Sequence, residues 1–138
     1  MATDFTLSPL LKAHASLVEA VAIRKARPDD KLVRDAVIQR FEYTYELAWK
    51  AIKRFLETVQ GENDVDQWSR RDLFRVAAEQ GLVTDPRPWF TYNLMRNLSS
   101  TYHEETAERV VSVTADFSHD CEQLIAALRA RITKTAPD

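Results

Sequence analysis

The chain has 138 residues, of which 45% are hydrophobic and 29% charged, and its formal net charge is -2. The slight negative charge excludes strong non-specific binding to nucleic acid, although a local basic groove remains compatible with it. A single cysteine, Cys121, excludes an intrachain disulfide and a metal site built from several cysteines. With only two glycines, a turn-rich β architecture is disfavoured. We predict one helical domain over residues 1–138, with Cys121 as a buried thiol.

Signals for export or membrane insertion are missing from the sequence. Residues 1–24 contain no uninterrupted apolar segment of the secretory type. Nowhere do about 18 apolar residues run together, as a membrane-spanning helix would require. We therefore expect a cytoplasmic protein with no membrane partner.

The first helix is predicted to begin near Leu7 or Pro9, with Ser8 as its N-cap. His14 lies on its apolar stripe. We interpret His14 as a partly buried histidine that hydrogen-bonds a neighbouring helix, in preference to a catalytic group, because no partner lies near it in sequence. The segment 28–30, Pro-Asp-Asp, ends this helix and caps the next. The stripe consists of apolar residues three and four apart: Leu10, Leu11, Leu17, Val18 and Val21.

The second helix is predicted from about Lys31 to Gln60 and is apolar on more than one side. Such a helix lies at the centre of a bundle or at an oligomer interface. Glu42 and Glu46 lie one turn apart on an edge that faces solvent or a groove, and Glu46 can also pair with Lys50. The main row is Val33, Val37, Phe41, Tyr45, Ala48, Ile52, Phe55 and Val59, and the second row is Ile38, Trp49 and Leu56.

Two shorter helices follow a polar connector over residues 62–68. Ser69 and Asp72 form a near capping box for a helix that ends at Gly81. Asp85, followed by a proline, begins the next helix, which carries Arg96 and Asn97 at its end.

The last helix is long and begins near Glu104 and Glu105, whose carboxylates favour the positive end of a helix dipole. No strand pattern is present. We predict an all-α fold, an antiparallel up-and-down bundle of four long helices plus a short one. The last helix contributes a near-heptad seam: Val110, Val113, Phe117, Cys121, Leu124, Leu128 and Ile132.

Residues 96–105, RNLSSTYHEE, are the candidate functional stretch. Cleavage of an RNA phosphodiester without metal needs a base for the 2′-hydroxyl proton and a cation for the phosphate, and His103 and Arg96 could fill these roles. Asn97 could orient the loop or the ribose, and Tyr102 could stack on a base. The structural alternative is that Arg96 pairs with Glu104 or Glu105, Tyr102 covers the bundle end and His103 is solvated.

Two segments carry a resemblance to a known family: residues 40–50, RFEYTYELAWK, and residues 96–107, RNLSSTYHEETA. Together they resemble the nucleotidyltransferase substrate-binding protein family of the HEPN superfamily of helical bundles. The resemblance implies a homodimer that forms a complex with a minimal nucleotidyltransferase. It also implies one of two roles, a nucleotide-binding subunit or a metal-independent RNase toxin that the partner neutralises by adenylylating a tyrosine near the active histidine.

The spacing of the motif separates these roles. The superfamily signature has four to six residues between arginine and histidine, and Arg96 and His103 enclose six. The toxin-type form is tighter and places its tyrosine after the histidine, whereas Tyr102 precedes His103 here. We therefore favour a dimeric nucleotide- or RNA-binding subunit with Arg96, Asn97, Tyr102 and His103 at its site and no cofactor or metal. The alternative is an RNase that uses Arg96 and His103 and is neutralised at Tyr102.

Overall fold

Five α-helices make up the fold, and the computed structural model describes residues 6–99 and 103–135, with side chains up to Ile132. The prediction of an all-α bundle with four long helices and a short one is confirmed, and no strand occurs in these two ranges. The connector after the second helix contains one short 3₁₀ turn, Val65–Gln67. The helices are α1 (Ser8–Ala26), α2 (Lys31–Thr58), α3 (Arg70–Glu79), α4 (Pro86–Leu98) and α5 (Glu104–Thr135).

Local capping explains where most helices begin. The Asp30 carboxylate accepts hydrogen bonds from the backbone N–H groups of Leu32 and Val33 at the start of α2, as predicted. Ser69 and Asp72 form the predicted capping box of α3. The prediction for Ser8 is wrong: it is the first helical residue, and its backbone N–H donates to the Thr6 hydroxyl at 3.2 Å. A proline fits the first turn at either register, because those N–H groups have no intrahelical acceptor.

The connector between α2 and α3 is more than a polar link. Val65 is 4% exposed and belongs to the hydrophobic core. Lys53 on α2 forms an ion pair with Asp66 at 2.6 Å. These contacts fix the start of α3 against α2. The sequence did not predict them, because Val65 and Trp68 are the only apolar residues in an otherwise polar segment.

The core lies around α2, whose main apolar row is mostly buried within the fold. Phe41 packs edge-on against Phe117 of α5, with ring centroids 5.1 Å apart. The near-heptad seam of α5 faces the core: Cys121 and four other seam residues are buried, while Val113 and Ile132 are partly exposed. Burial raises the pKa of the Cys121 thiol to about 12. The fully buried residues of α2 include Val37, Phe41, Ala48, Ile52, Phe55 and Leu56.

His14 makes the interhelical hydrogen bond that the sequence predicted. Its Nε2 lies 2.8 Å from the backbone carbonyl oxygen of Ser118, which joins α1 to α5. This histidine is therefore a structural contact. No helix within residues 6–99 and 103–135 has the length and apolar character needed to cross a membrane.

Candidate nucleotide-binding site

Arg96 lies in the last turn of α4 and faces α2. Its side chain is 29% exposed, and its Nε is 3.4 Å from a carboxylate oxygen of Glu46. That distance fits an ion pair, yet the buried Nε–H donates no hydrogen bond within the described residues. Arg96 is thus held beside a negative charge, while about three tenths of its side chain remains exposed.

The carboxylate edge of α2 faces this end of α4, which was one of its two expected environments. The Ser99 hydroxyl donates a short hydrogen bond to Glu42. The indole N–H of Trp49 donates to Glu46 at 3.3 Å, so the carboxylate beside Arg96 is itself held in place. Glu42 and Glu46 therefore line the inner side of the Arg96 site.

Two other predicted site residues, Asn97 and His103, lie near the ends of two different helices. Asn97 is exposed on the last turn of α4. His103 is exposed immediately before α5, and its backbone carbonyl accepts the first hydrogen bond of that helix from Ala107 at 2.9 Å. Tyr102 lies outside the described residues. The fold therefore brings Arg96 and Asn97 to the end of one helix and His103 to the start of the next.

Glu104 does not pair with Arg96, which was one structural alternative. It pairs instead with Arg34 of α2, at 2.6 Å, and Glu108 lies 3.2 Å from the same guanidinium. The Arg34 side chain is only 1% exposed. These bonds raise the pKa of Arg34 and hold the pKa of Glu104 below its usual value. They fix the start of α5, next to His103.

Sequence reasoning missed Arg34, although a signal for it exists. Arg34 precedes Val37 by three residues and Phe41 by seven, which places it on the buried face of α2. A charged residue at such a position requires ionic partners, since an unpaired buried charge is costly. The identity of those partners, some seventy residues away, is not written in the local pattern.

A second missed feature is a groove between α3 and α4, with a volume of about 350 Å³. The Arg70 guanidinium carbon lies 3.2 Å from the ring centroid of Trp49, and that of Arg71 lies 4.2 Å from Phe90. We call this feature the α3–α4 groove. The signal was the Arg-Arg pair that opens α3, but its partners come from two other helices. The groove is lined by Arg70, Arg71, Phe90, Asn93, Leu94 and Asn97, among others.

Tyr45 connects the groove with Arg96. Its hydroxyl donates to the side-chain oxygen of Asn93 at 2.6 Å. Burial raises the pKa of Tyr45, and the Arg70 and Arg96 guanidiniums oppose that rise, so both cations lie within electrostatic reach of one phenol. Among the described residues no group of three or more His, Cys, Asp or Glu side chains could hold a metal ion. The groove itself offers arginines, amides and an aromatic face.

Comparison with known proteins relates this arrangement to a family. Residues 5–130 match the family described as nucleotidyltransferase substrate binding protein like. A Haemophilus influenzae protein named probable ribonuclease HepT is 36% identical over 104 residues, which cover 74% of this chain and 70% of that relative.

Solved structures show the same fold. HI0074 from Haemophilus influenzae, described as revealing the fold of a substrate binding domain of a nucleotidyltransferase, has a TM-score of 0.82 and 30% identity, covering 90% of this chain and 99% of that chain. A Thermus thermophilus protein has a TM-score of 0.74 and 33% identity, covering 87% of this chain and 98% of that chain. The family expected from residues 40–50 and 96–107 is confirmed.

Proposed function

We propose that this chain, which belongs to the nucleotidyltransferase substrate-binding protein family, is a dimeric nucleotide- or RNA-binding subunit. In this proposal one helical domain over residues 1–138 pairs with a minimal nucleotidyltransferase, as in a HEPN/nucleotidyltransferase toxin–antitoxin pair in the cytoplasm. The binding residues are Arg96, Asn97, Tyr102 and His103.

The observation that carries the proposal is the position and partial exposure of the Arg96 side chain. Its side chain is 29% exposed, and its Nε lies 3.4 Å from a carboxylate oxygen of Glu46. Arginine matches phosphate oxygens through a planar set of donors, so a partly exposed arginine that is held in place suits a phosphate group. Asn97 follows directly and supplies an amide for a ribose or base edge.

The nucleotidyltransferase partner is supported by the description of the family and by that of HI0074, a substrate-binding domain of such an enzyme. We expect a nucleotidyltransferase encoded beside this chain to co-purify with it. Substitution of His103 by alanine should leave that co-purification unchanged, because His103 is exposed and assigned to the nucleotide. Loss of the complex in His103→Ala would instead place the histidine in the protein interface.

The homodimer rests on the family resemblance. The apolar faces of α2, which also suggested an interface, are taken up inside the chain, where Val37 and Phe41 have no exposed area. Sedimentation equilibrium should give twice the chain mass of 15.9 kDa. A single species at the monomer mass would contradict the dimer.

A second candidate function is a metal-independent RNase. It is favoured by the 36% identity to the relative named probable ribonuclease HepT. It is also favoured by the placement of Arg96 and His103 at the two ends of one helix connection. In this mechanism His103 removes the 2′-hydroxyl proton and Arg96 stabilises the negative charge on the phosphate.

An RNA cleavage assay with the purified chain alone, in EDTA, decides between the two functions. The RNase mechanism predicts that Arg96→Ala and His103→Ala each lose cleavage by about 100-fold or more. His119→Ala is the matched control, because His119 is an exposed histidine further along α5. No cleavage by the wild type, with RNA binding retained, would leave the binding subunit.

Adenylylation by the partner belongs to the RNase candidate, as the step that neutralises it, with Tyr102 as the acceptor. Incubation with the nucleotidyltransferase and ATP should add the mass of an adenylyl group to a peptide that contains Tyr102. Tyr102→Phe should abolish that addition. Modification of a different residue in the wild type would reject this assignment while leaving RNA binding untouched.

A further inference from the structure

The α3–α4 groove carries positive charge without a compensating carboxylate. Its lining contains Arg70 and Arg71 but no aspartate or glutamate. In the described parts of the chain neither arginine lies within ion-pair distance of a carboxylate, whereas Arg75, one turn further along α3, approaches Asp72 at 4.0 Å. A chain of net charge -2 that leaves two adjacent arginines unneutralised in a groove presents a site for an anion.

Stacking holds both guanidiniums in place. The Arg70 guanidinium lies over the Trp49 ring and the Arg71 guanidinium lies over the Phe90 ring, at the distances given above. A guanidinium that stacks through its face keeps the N–H donors at its edge, which is the geometry that binds phosphate oxygens. The order that stacking imposes also reduces the entropy lost when a ligand binds.

The polar wall of the groove suits a nucleotide better than a simple anion. The side-chain oxygen of Asn93 accepts a hydrogen bond from the Tyr45 hydroxyl, so its amide nitrogen is the group that it can offer to a ligand. Phe90, Leu94 and Asn97 lie on one face of α4, and from Phe90 to Asn97 the helix rises about 10 Å. This length exceeds that of one phosphate group.

The groove reaches the last turn of α4, which carries Arg96. Asn97 lines the groove and is the neighbour of Arg96 in sequence. Tyr45 bonds Asn93 on the groove side and lies within electrostatic reach of Arg96. We infer that the α3–α4 groove binds the phosphate backbone of single-stranded RNA and leads that strand to Arg96. This inference rests on the proposed function and extends it from a nucleotide site to an RNA path.

Fluorescence anisotropy with the full chain tests the inference. The probe is a fluorescein-labelled oligouridylate about ten nucleotides long with 2′-fluoro riboses, which lack the hydroxyl needed for cleavage. Arg71→Gln should weaken binding about tenfold, and the dependence of log affinity on log salt should fall by about 0.7. Arg129→Gln removes an equal charge from an exposed position of α5 outside the groove, and should stay within about twofold of the wild type.

Several results would overturn the inference, each in a distinct way. If Arg71→Gln behaves like Arg129→Gln while Arg96→Gln weakens binding, the groove is rejected and the proposed function stands. If uridine monophosphate competes as well as the oligonucleotide, the site takes a nucleotide and no RNA path exists. If Arg71→Gln weakens RNA binding and sedimentation shows that this variant is a monomer while the wild type is a dimer, the groove is an interface between copies. If the wild type binds neither ligand, the proposed function fails as well.

Discussion

Arg34 contacts the start of α5, Arg96 lies in the last turn of α4, and the two arginines differ in their burial and in their hydrogen bonds. Arg34 is 1% exposed and donates to Glu104 and to Glu108 on α5. Arg96 is 29% exposed, its Nε lies 3.4 Å from one carboxylate oxygen, and that Nε–H donates no hydrogen bond within the described residues. The first arginine joins two helices, whereas the second is the group that we propose binds a ligand. Burial and hydrogen bonding together therefore mark Arg34 as a structural arginine.

The largest expected effect is on stability at Arg34. Arg34→Ala should lower the free energy of unfolding by about 2–3 kcal/mol, because it removes a buried stem and its charge-assisted hydrogen bonds. Arg34→Met restores much of the volume, so its loss should be smaller. Urea unfolding followed by circular dichroism measures both. Arg40→Ala is the control: its 31% exposed side chain pairs with Glu19, and we expect a loss below about 1 kcal/mol. Equal losses at positions 34 and 40 would break the comparison.

The second effect is on binding at Arg96. Arg96→Gln should weaken binding of the RNA probe about tenfold, since it removes a phosphate contact and keeps a polar side chain. Its free energy of unfolding should change by less than about 0.5 kcal/mol, because the pair with Glu46 is partly exposed. Anisotropy and urea unfolding on the same preparation give both values. A loss of stability as large as that of Arg34→Ala, with RNA binding intact, would make Arg96 a second structural arginine.

The smallest effect is a pH dependence that sharpens the role of Arg34. In the folded protein the pKa of Glu104 lies below its ordinary value of 4.5, and the main cause is the hydrogen bond from Arg34. The carboxylate therefore stabilises the fold above pH 4.5, and this contribution is lost as the pH falls through the lowered pKa. Glu104→Gln should be less stable than the wild type at about pH 7, and the difference should shrink at about pH 3.

Glu105→Gln provides the control for this pH experiment. Glu105 is exposed in the same turn, and no ion pair joins it to another described residue. Its substitution should leave the pH profile of unfolding close to that of the wild type. A profile for Glu105→Gln that matches the profile of Glu104→Gln would mean that the helix dipole, and not Arg34, governs the acid response.

The sequence predicted the features that depend on residues close together in the chain, namely helix caps and buried helix faces. The caps at Asp30, Ser69 and Asp85 lie within three residues of the N–H groups they bind, so residue type and spacing were enough. The helical periods of α2 and α5 gave the buried faces, and the family resemblance connected residues 40–50 with 96–107. The boundary at Ser8 was missed by one residue, since a serine before a proline fits two registers.

Contacts between distant helices could not be predicted in the same way. The pairs Arg34 with Glu104 and Arg96 with Glu46 depend on the rotation and offset of one helix against another. Many carboxylates were available to each arginine, and packing selected one. The contact of Arg70 with Trp49 could not be predicted either. It depends on the connector between α2 and α3, which the buried side chain of Val65 holds in place, and Val65 belongs to no recognisable motif.

Cys121 has a practical consequence for labelling experiments. It is the only cysteine, has no exposed area, and its thiol has a pKa raised to about 12 by burial. Maleimides react with accessible thiolates, so they will leave Cys121 unmodified while the protein is folded. A fluorophore attached through Thr91→Cys, at an exposed position of α4 that lines the groove, would then report on the groove from one defined position without removal of the native thiol.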